Sequence, residues 1–271
     1  MEPPPVLEPG RVVLVTGAAR GIGAATARLL AAYGARLALC DRLAEPLTGV
    51  AEELATAGTE VLAETVDVRE PEAVDAFVDA AGARFGRIDG LVNNAGGTFV
   101  APALDVSAKG EAMLVAENFT QVLHLVRRCV PLMGEGAAIV NVTSVEAHQA
   151  APGFAIYAAM KAAVANLTRS LALELAPRGV RVNAMAPDAL VSEGEDGARD
   201  AMLAGEMVYR PAMLPPLGHR GTPEDGAAAI AFLLGPMARF VTGTTVHVDG
   251  GTWAAGGWQR GHECGHECGH E

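Results

Sequence analysis

Apolar and polar positions along this chain switch repeatedly between two periods. Residues 12–16 form a β-branched apolar run that ends in a glycine-rich turn, and 24–32 follow with the small apolar residues of a packed helix. The unit then recurs. Apolar runs at 36–40, 60–66, 90–93, 138–143, 180–184 and 245–248 predict six further strands. Between them, helical periodicity predicts helices near 44–57 and 71–85, a long one running through Asn118, one carrying Tyr157, and one near 223–234. Strands separated by helices of about ten or more residues need crossover connections, which are right-handed and build a parallel sheet. The expected fold is α/β, a single doubly wound parallel sheet with helices on both faces.

Three segments depart from the rhythm. Residues 1–10, with three successive prolines, read as a flexible N-terminal arm, so the domain spans 11–256. Within it, 188–220 are rich in Glu, Asp, Gly, Pro and Met. An insertion after the carboxyl end of a strand falls where open α/β sheets bind ligands, which suggests a substrate lid. Residues 257–271 are a low-complexity tail whose last part repeats Gly-His-Glu-Cys.

Composition narrows the function. Half the residues are hydrophobic but only 4% are aromatic, as close helix-on-sheet packing requires. A net charge of −12 leaves no basic stripe for a nucleic-acid backbone, so no nucleic-acid partner is expected. No apolar run reaches the roughly eighteen residues of a membrane span, and the start, Met-Glu-Pro-Pro-Pro, is not a basic-then-apolar signal. The expectation is a cytoplasmic protein with no membrane partner. Cys40 and Cys129 fall in predicted elements as small buried thiols, and no disulfide framework exists. In the tail, His262, Cys264, His266, Cys268 and His270 have a spacing that could ligate zinc or nickel. The plainer reading is a polar low-complexity tail, and no metal is assigned to the chemistry.

The turn after the first strand carries the first chemical signal. Gly17, Arg20, Gly21, Ile22 and Gly23 lie in Thr-Gly-Ala-Ala-Arg-Gly-Ile-Gly between a strand and a helix. Glycines there let backbone approach a pyrophosphate, and the free N–H groups of the helix start favour its negative charge. Asp41 lies eighteen residues past Gly23 at the end of the second strand, placed to accept hydrogen bonds from a ribose diol and repel a 2′-phosphate. That favours NAD over NADP, although Arg20 and Arg42 could offer charge to a phosphate.

The second signal is Tyr157-Ala-Ala-Met-Lys161, with Ser144 thirteen positions earlier. Four residues apart on a helix, phenol and ammonium share a face, and the cation favours the phenolate. A free phenol has a pKa near 10. Lowering it by roughly three units takes about 4 kcal/mol of differential stabilisation, much of which a close ammonium in a partly dry site can supply.

With the glycine turn, Asn93-Asn94-Ala95-Gly96, Ser144 and Tyr157-x-x-x-Lys161 present in order, the chain resembles the short-chain dehydrogenase/reductase family from about residue 10 to 252. The resemblance implies a Rossmann-type sheet of about seven strands and a homodimer or homotetramer. It also implies interconversion of a secondary alcohol and a ketone by hydride transfer with NAD, NADP being the alternative. Asn118, Ser144, Tyr157 and Lys161 match the family's catalytic tetrad. Asp67 and Val68 match the pair that holds adenine, and Asn94, Ala95 and Gly96 the segment beside the cofactor. Pro187 matches the proline near the nicotinamide, and Ser192 stands where a threonine commonly contacts its amide. The chain departs from the pattern at Asp188, where glycine is usual.

The substrate pocket should draw on residues after Gly96, after Ser144 and along the lid, which nominates Thr98, Phe99, Glu146, His148, Phe154, Met202 and Met207. Met and Phe suit an apolar small-molecule body such as a steroid, an alicyclic alcohol or a hydroxyacyl chain. A reductase of carrier-bound or CoA-bound 3-oxoacyl groups using NADPH is the alternative. Leu173 occupies the place where such enzymes often carry arginine, while Arg127, Arg128 and Arg169 keep that reading open. A non-catalytic dinucleotide-binding regulator would need the glycine turn and Asp41 but not the whole tetrad.

Overall fold

In the computed structural model, which describes residues 4–191 and 214–257, seven strands form one sheet. They are β1 (Val12–Thr16), β2 (Arg36–Asp41), β3 (Val61–Thr65), β4 (Gly90–Asn93), β5 (Ala138–Val142), β6 (Arg181–Pro187) and β7 (Thr245–Val248). All pair in parallel, in the order β3-β2-β1-β4-β5-β6-β7. The winding reverses between β1 and β4, which opens a crevice at their carboxyl ends, where α/β sheets bind ligands.

The helices are α1 (Gly21–Ala32), α2 (Ala44–Thr56), α3 (Pro71–Phe85), α4 (Ala108–Val115), α5 (Gln121–Cys129), α6 (Ala155–Leu175), α7 (Pro223–Leu234) and the single turn α8 (Thr252–Ala255). Because side chains alternate across a strand, each strand feeds two cores. Val13, Val15, Leu37 and Leu39 pack with Leu30 of α1, Leu47 of α2 and Ile230 of α7. Val12, Leu14, Ala38 and Cys40 pack with Phe77 of α3, Leu125 of α5 and Leu171 of α6 on the other face. Each fully buried Leu or Phe contributes about 2 kcal/mol by transfer alone, so the middle of the sheet is a rigid base for chemistry at its edge. Burial pushes the Cys40 and Cys129 thiols well above their ordinary range, which leaves them inert.

Four boundaries differ from the sequence expectation. The arm expected over 1–10 is docked from Val6 onward. Leu7 is 2% exposed within the core, the Gly10 N–H donates to the Gly34 carbonyl at 2.8 Å, and a Cβ at Gly235 would stand 1.6 Å from the Val6 carbonyl oxygen. α1 starts at Gly21, three residues before the apolar period, because glycines carry the first turn without contributing to that period. β6 runs on to Pro187, since β7 pairs with it from Ala184 to Pro187. The long helix through Asn118 is split by a π-turn, Ala116–Thr120, between α4 and α5.

Of the expected lid, only 188–191 and 214–220 lie among the described residues. Its two ends meet: Leu190 bridges Gly221, and the Val191 N–H donates to the Gly221 carbonyl at 2.9 Å. Among the described residues no helix is long and apolar enough to cross a membrane. The repeat tail lies outside them.

Candidate active site

The glycine turn is shaped by what it excludes. Gly17 and Gly21 take positive φ, at 66° and 55°, where side chains are strained. A Cβ on Gly23 would sit 2.0 Å from the Gly17 carbonyl oxygen, and one on Gly17 would sit 2.8 Å from Asn94 Nδ2. α1 begins beyond Arg20 with no side-chain cap and no acidic residue in its first turn, so its leading N–H groups keep their capacity for an anion. A pyrophosphate fits this cradle. Replacing Gly23 with Ala is expected to weaken NADH binding by about tenfold to a hundredfold, the 1–3 kcal/mol typical of overpacking. A fluorescence titration checks this, and an unchanged dissociation constant would dissociate the turn from nucleotide binding.

Asp41 is held at the end of β2: its Oδ2 accepts from Ala19 N and its Oδ1 from Leu43 N, each at 3.0 Å. Each oxygen retains a lone pair for a further donor. Arg20 and Arg42 are exposed nearby, and Arg42 reaches to 4.0 Å from Glu117. Asp67 is engaged by Arg69, whose Nε donates to Oδ1 at 2.9 Å and holds the carboxyl below its usual range. Val68 packs against the core beside it. Any base that reaches Asp67 therefore meets a carboxylate already neutralised in part.

Thr16 ties the glycine turn to β4. Its Oγ1 accepts from Asn94 N at 3.1 Å and Ala95 N at 3.0 Å, while Asn94 Nδ2 returns bonds to the carbonyls of Thr16 and Gly17 at 3.0 Å each. Beyond them, a Cβ at Gly96 would lie 3.0 Å from Asn118 Oδ1 and 3.2 Å from Lys161 Nζ. A side chain at Gly96 would press on both and push their polar ends aside.

α6 is rich in Ala and Leu, strong helix formers. Its buried stripe runs Ala158, Lys161, Ala165, Thr168 and Ala172, spaced three and four apart, so the lysine sits in the face that packs on the sheet. Lys161 Nζ donates to the Val142 carbonyl at 3.0 Å and lies 5.6 Å from the centre of the Tyr157 ring. Burial lowers its pKa to about 8, against the opposing pull of Glu117 and Glu146. The same stripe is pinned by a polar line: Asn93 Nδ2 donates to Asn141 Oδ1 at 2.8 Å, and Asn141 Nδ2 to Thr168 Oγ1 at 2.9 Å.

The π-turn positions Asn118, which is 1% exposed. Its Nδ2 donates to the carbonyls of Gly97 at 2.8 Å and Leu114 at 3.0 Å. Gln121 Nε2 donates in turn to Ala95 and Glu117 carbonyls, at 3.1 and 3.2 Å. The two side chains thus tie the π-turn to the segment after β4, and π-turns are frequent at functional sites. Neither Gln121 nor the buried Glu117 stood out in the sequence. The available signal was two amides three residues apart in the middle of one helical stretch.

On the substrate side, Thr98, Phe99, Val106, Leu114, Phe154 and Tyr157 line one groove. Ser144 is buried at the end of β5, and its hydroxyl donates to Glu146 Oε2. Glu146 is half-buried, and desolvation raises its pKa despite that bond. His148 does not join the groove. Its ring lies 4.8 Å from His247 and 6.0 Å from Trp253, and those two stack at 4.4 Å. Pro187 ends β6 opposite Val248, and the next two residues are irregular: burial raises the Asp188 pKa, and Ala189 takes φ 51°, at a cost of about 1 kcal/mol. Ser192, Met202 and Met207 lie outside the described residues.

The chain is similar to known proteins over most of its length. Residues 17–252 match the family model described as enoyl-(acyl carrier protein) reductase. The chain is 41% identical over 246 residues to cis-4-hydroxycyclohexanecarboxylate dehydrogenase of Sinomonas cyclohexanicum, covering 89% of this chain and 96% of that one. It is 38% identical over 259 residues to 3beta-hydroxysteroid dehydrogenase 1 of Eggerthella lenta, covering 93% and 97%. A solved short-chain dehydrogenase/reductase of Serratia marcescens superposes with a TM-score of 0.83 at 32% identity, over 90% of this chain and 98% of that one. With its seven-stranded parallel sheet, its glycine cradle and this extent of identity, the chain belongs to the short-chain dehydrogenase/reductase family of oxidoreductases.

Proposed function

We propose that the protein interconverts an uncharged secondary alcohol and its ketone, with NAD as the preferred dinucleotide. The observation that carries this is the buried Lys161 ammonium beneath the ring of Tyr157, which itself lines an apolar groove. A bound nicotinamide supplies or takes up the hydride. In oxidation Tyr157 takes the hydroxyl proton, and in reduction it returns one to the carbonyl oxygen. Ser144 donates to that oxygen as charge grows on it. Lys161 favours the phenolate and binds the nicotinamide ribose, and Asn118 supports the relay that carries the proton on from the lysine. Gly17, Gly21, Ile22 and Gly23 hold the pyrophosphate, and Asp67 and Val68 flank the adenine.

Three features favour an apolar, uncharged substrate. The groove wall is Phe99, Val106, Leu114 and Phe154. Asp188, which disfavours the ionised form of Glu146 beside Ser144, disfavours an anionic substrate there too. Leu173, 78% exposed, leaves no cation where a carrier-protein reductase often has one, which weakens the acyl-carrier alternative. Asp41 supports NAD, because a 2′-phosphate there would face a carboxylate held in place by two backbone donors. A homodimer or homotetramer in the cytoplasm is part of the same reading, and light scattering tests the assembly.

Absorbance at the reduced-nicotinamide band, followed over a panel of steroid, alicyclic and hydroxyacyl alcohols and ketones with both dinucleotides, tests the reading. The expected preference for NAD is at least about tenfold in kcat/KM, and Asp41→Asn should narrow it. Turnover with NADP alone would reverse the cofactor assignment. No turnover on any uncharged alcohol would sink the substrate class.

A further inference from the structure

Ser144 carries a partner that the reaction outlined above leaves unused. Glu146 stands two residues on, in the short turn Val145–Ala147, and the serine hydroxyl donates to its Oε2. A hydroxyl has one proton to give. While Glu146 is ionised, that proton is committed to the carboxylate, and the substrate oxygen meets only lone pairs. Both directions of the reaction need the donor: an alcohol sharing its proton with Tyr157, and a carbonyl gaining negative charge, each require a hydrogen bond from Ser144.

We infer that Glu146 is a positioning residue which switches Ser144 between a withheld and an available donor, the protonated carboxyl being the competent form. When Glu146 carries its own proton, it donates to Ser144 Oγ, and the serine hydroxyl turns to the ligand. No bond other than hydrogen bonds changes, and the proton exchanges with solvent. This rests on the reading of Ser144 as the group that meets the substrate oxygen.

The surroundings suit such a switch. Asp188, at the end of β6, repels the ionised form, and burial disfavours it further, while Lys161 from α6 and the Ser144 hydroxyl favour it. Desolvation is the largest of these influences, so the carboxyl gains its proton at higher pH than a free glutamic acid.

The test is the pH profile of kcat, in both directions, for the full-length enzyme and Glu146→Gln. Glutamine cannot ionise, and its amide can donate to Ser144 Oγ as the protonated acid would. The wild type should lose rate as pH rises through the range in which Glu146 ionises, above that of a free glutamic acid, whereas Glu146→Gln should lack that limb and turn over about fivefold faster once the wild-type carboxyl is ionised. Thermal melting and NADH affinity check that the variant is intact. Superimposable profiles, or a uniform fall in rate with the shape kept, would overturn the switch. Ser144→Ala separates the two levels of inference. If it retains wild-type turnover, the serine role fails and the switch with it; if it loses turnover and Glu146→Gln keeps the wild-type profile, only the switch fails.

Discussion

Tyr157→Phe is expected to lower turnover by at least about a thousandfold while leaving NADH affinity within about twofold of wild type. Phenylalanine keeps the aromatic ring above Lys161 Nζ, 5.6 Å from its centroid, so the packing and the cation–π contact persist. What disappears is one oxygen, able to take a proton in oxidation and give one in reduction. A variant that still turned over at about a tenth or more of the wild-type rate, a loss of no more than about 1.4 kcal/mol of transition-state stabilisation, would assign the base to another group. Stopped-flow measurement of NADH formation, with separate fluorescence titration, distinguishes loss of chemistry from loss of binding.

Lys161→Met is expected to remove activity and yet stabilise the ligand-free protein. The fall in the lysine's pKa from 10.5 to about 8 corresponds to about 3 kcal/mol of strain in holding the cation inside the fold at neutral pH. Methionine leaves the Val142 carbonyl without its donor, which takes back about 1 kcal/mol. The net gain is about 2 kcal/mol, or a melting temperature higher by several degrees. Its pH dependence has a definite sign. Below about pH 8 both folded and unfolded wild-type chains carry the proton, and the penalty is complete. Between about 8 and 10.5 the folded chain releases it while the unfolded chain keeps it, so the wild type gains stability with rising pH and the variant's advantage fades. A lower melting temperature at neutral pH, or a gap that does not close on the alkaline side, would show that the cation is not strained. On the proposed mechanism, the penalty is the cost of placing a cation where the phenolate forms.

How much of this was readable in the chain depends on the range of the interactions. Strands such as 12–16 and 90–93 were legible because burial on both faces of a parallel sheet leaves unbroken apolar runs. The Tyr157–Lys161 pair was legible because both lie on one helix, whose period fixes their relative direction. The π-turn was not, since an extra residue in a helix depends on carbonyls being satisfied by Asn118 and Gln121, whose other partners, Gly97 and Ala95, lie more than twenty residues away. The Ser144–Glu146 contact escaped for a different reason: spacing of two on a strand would keep side chains on one face, but the turn after β5 decides whether they meet. His148, nominated for its proximity to Ser144, meets His247 and Trp253 edge-on, contacts whose partners lie about a hundred residues away. The arm was misjudged because proline-rich composition hides a single anchoring side chain, Leu7.

The line from Asn93 through Asn141 to Thr168 has a bearing on redesign. Asn141, held by Asn93 on the neighbouring strand, anchors α6 two turns beyond Lys161 through Thr168, so the helix cannot slide or roll without breaking that directional bond. The walls at Phe99, Val106 and Phe154 share none of those bonds. A designer can therefore recut the groove for bulkier or slimmer guests while Tyr157 and Lys161 stay aimed at the same point in space.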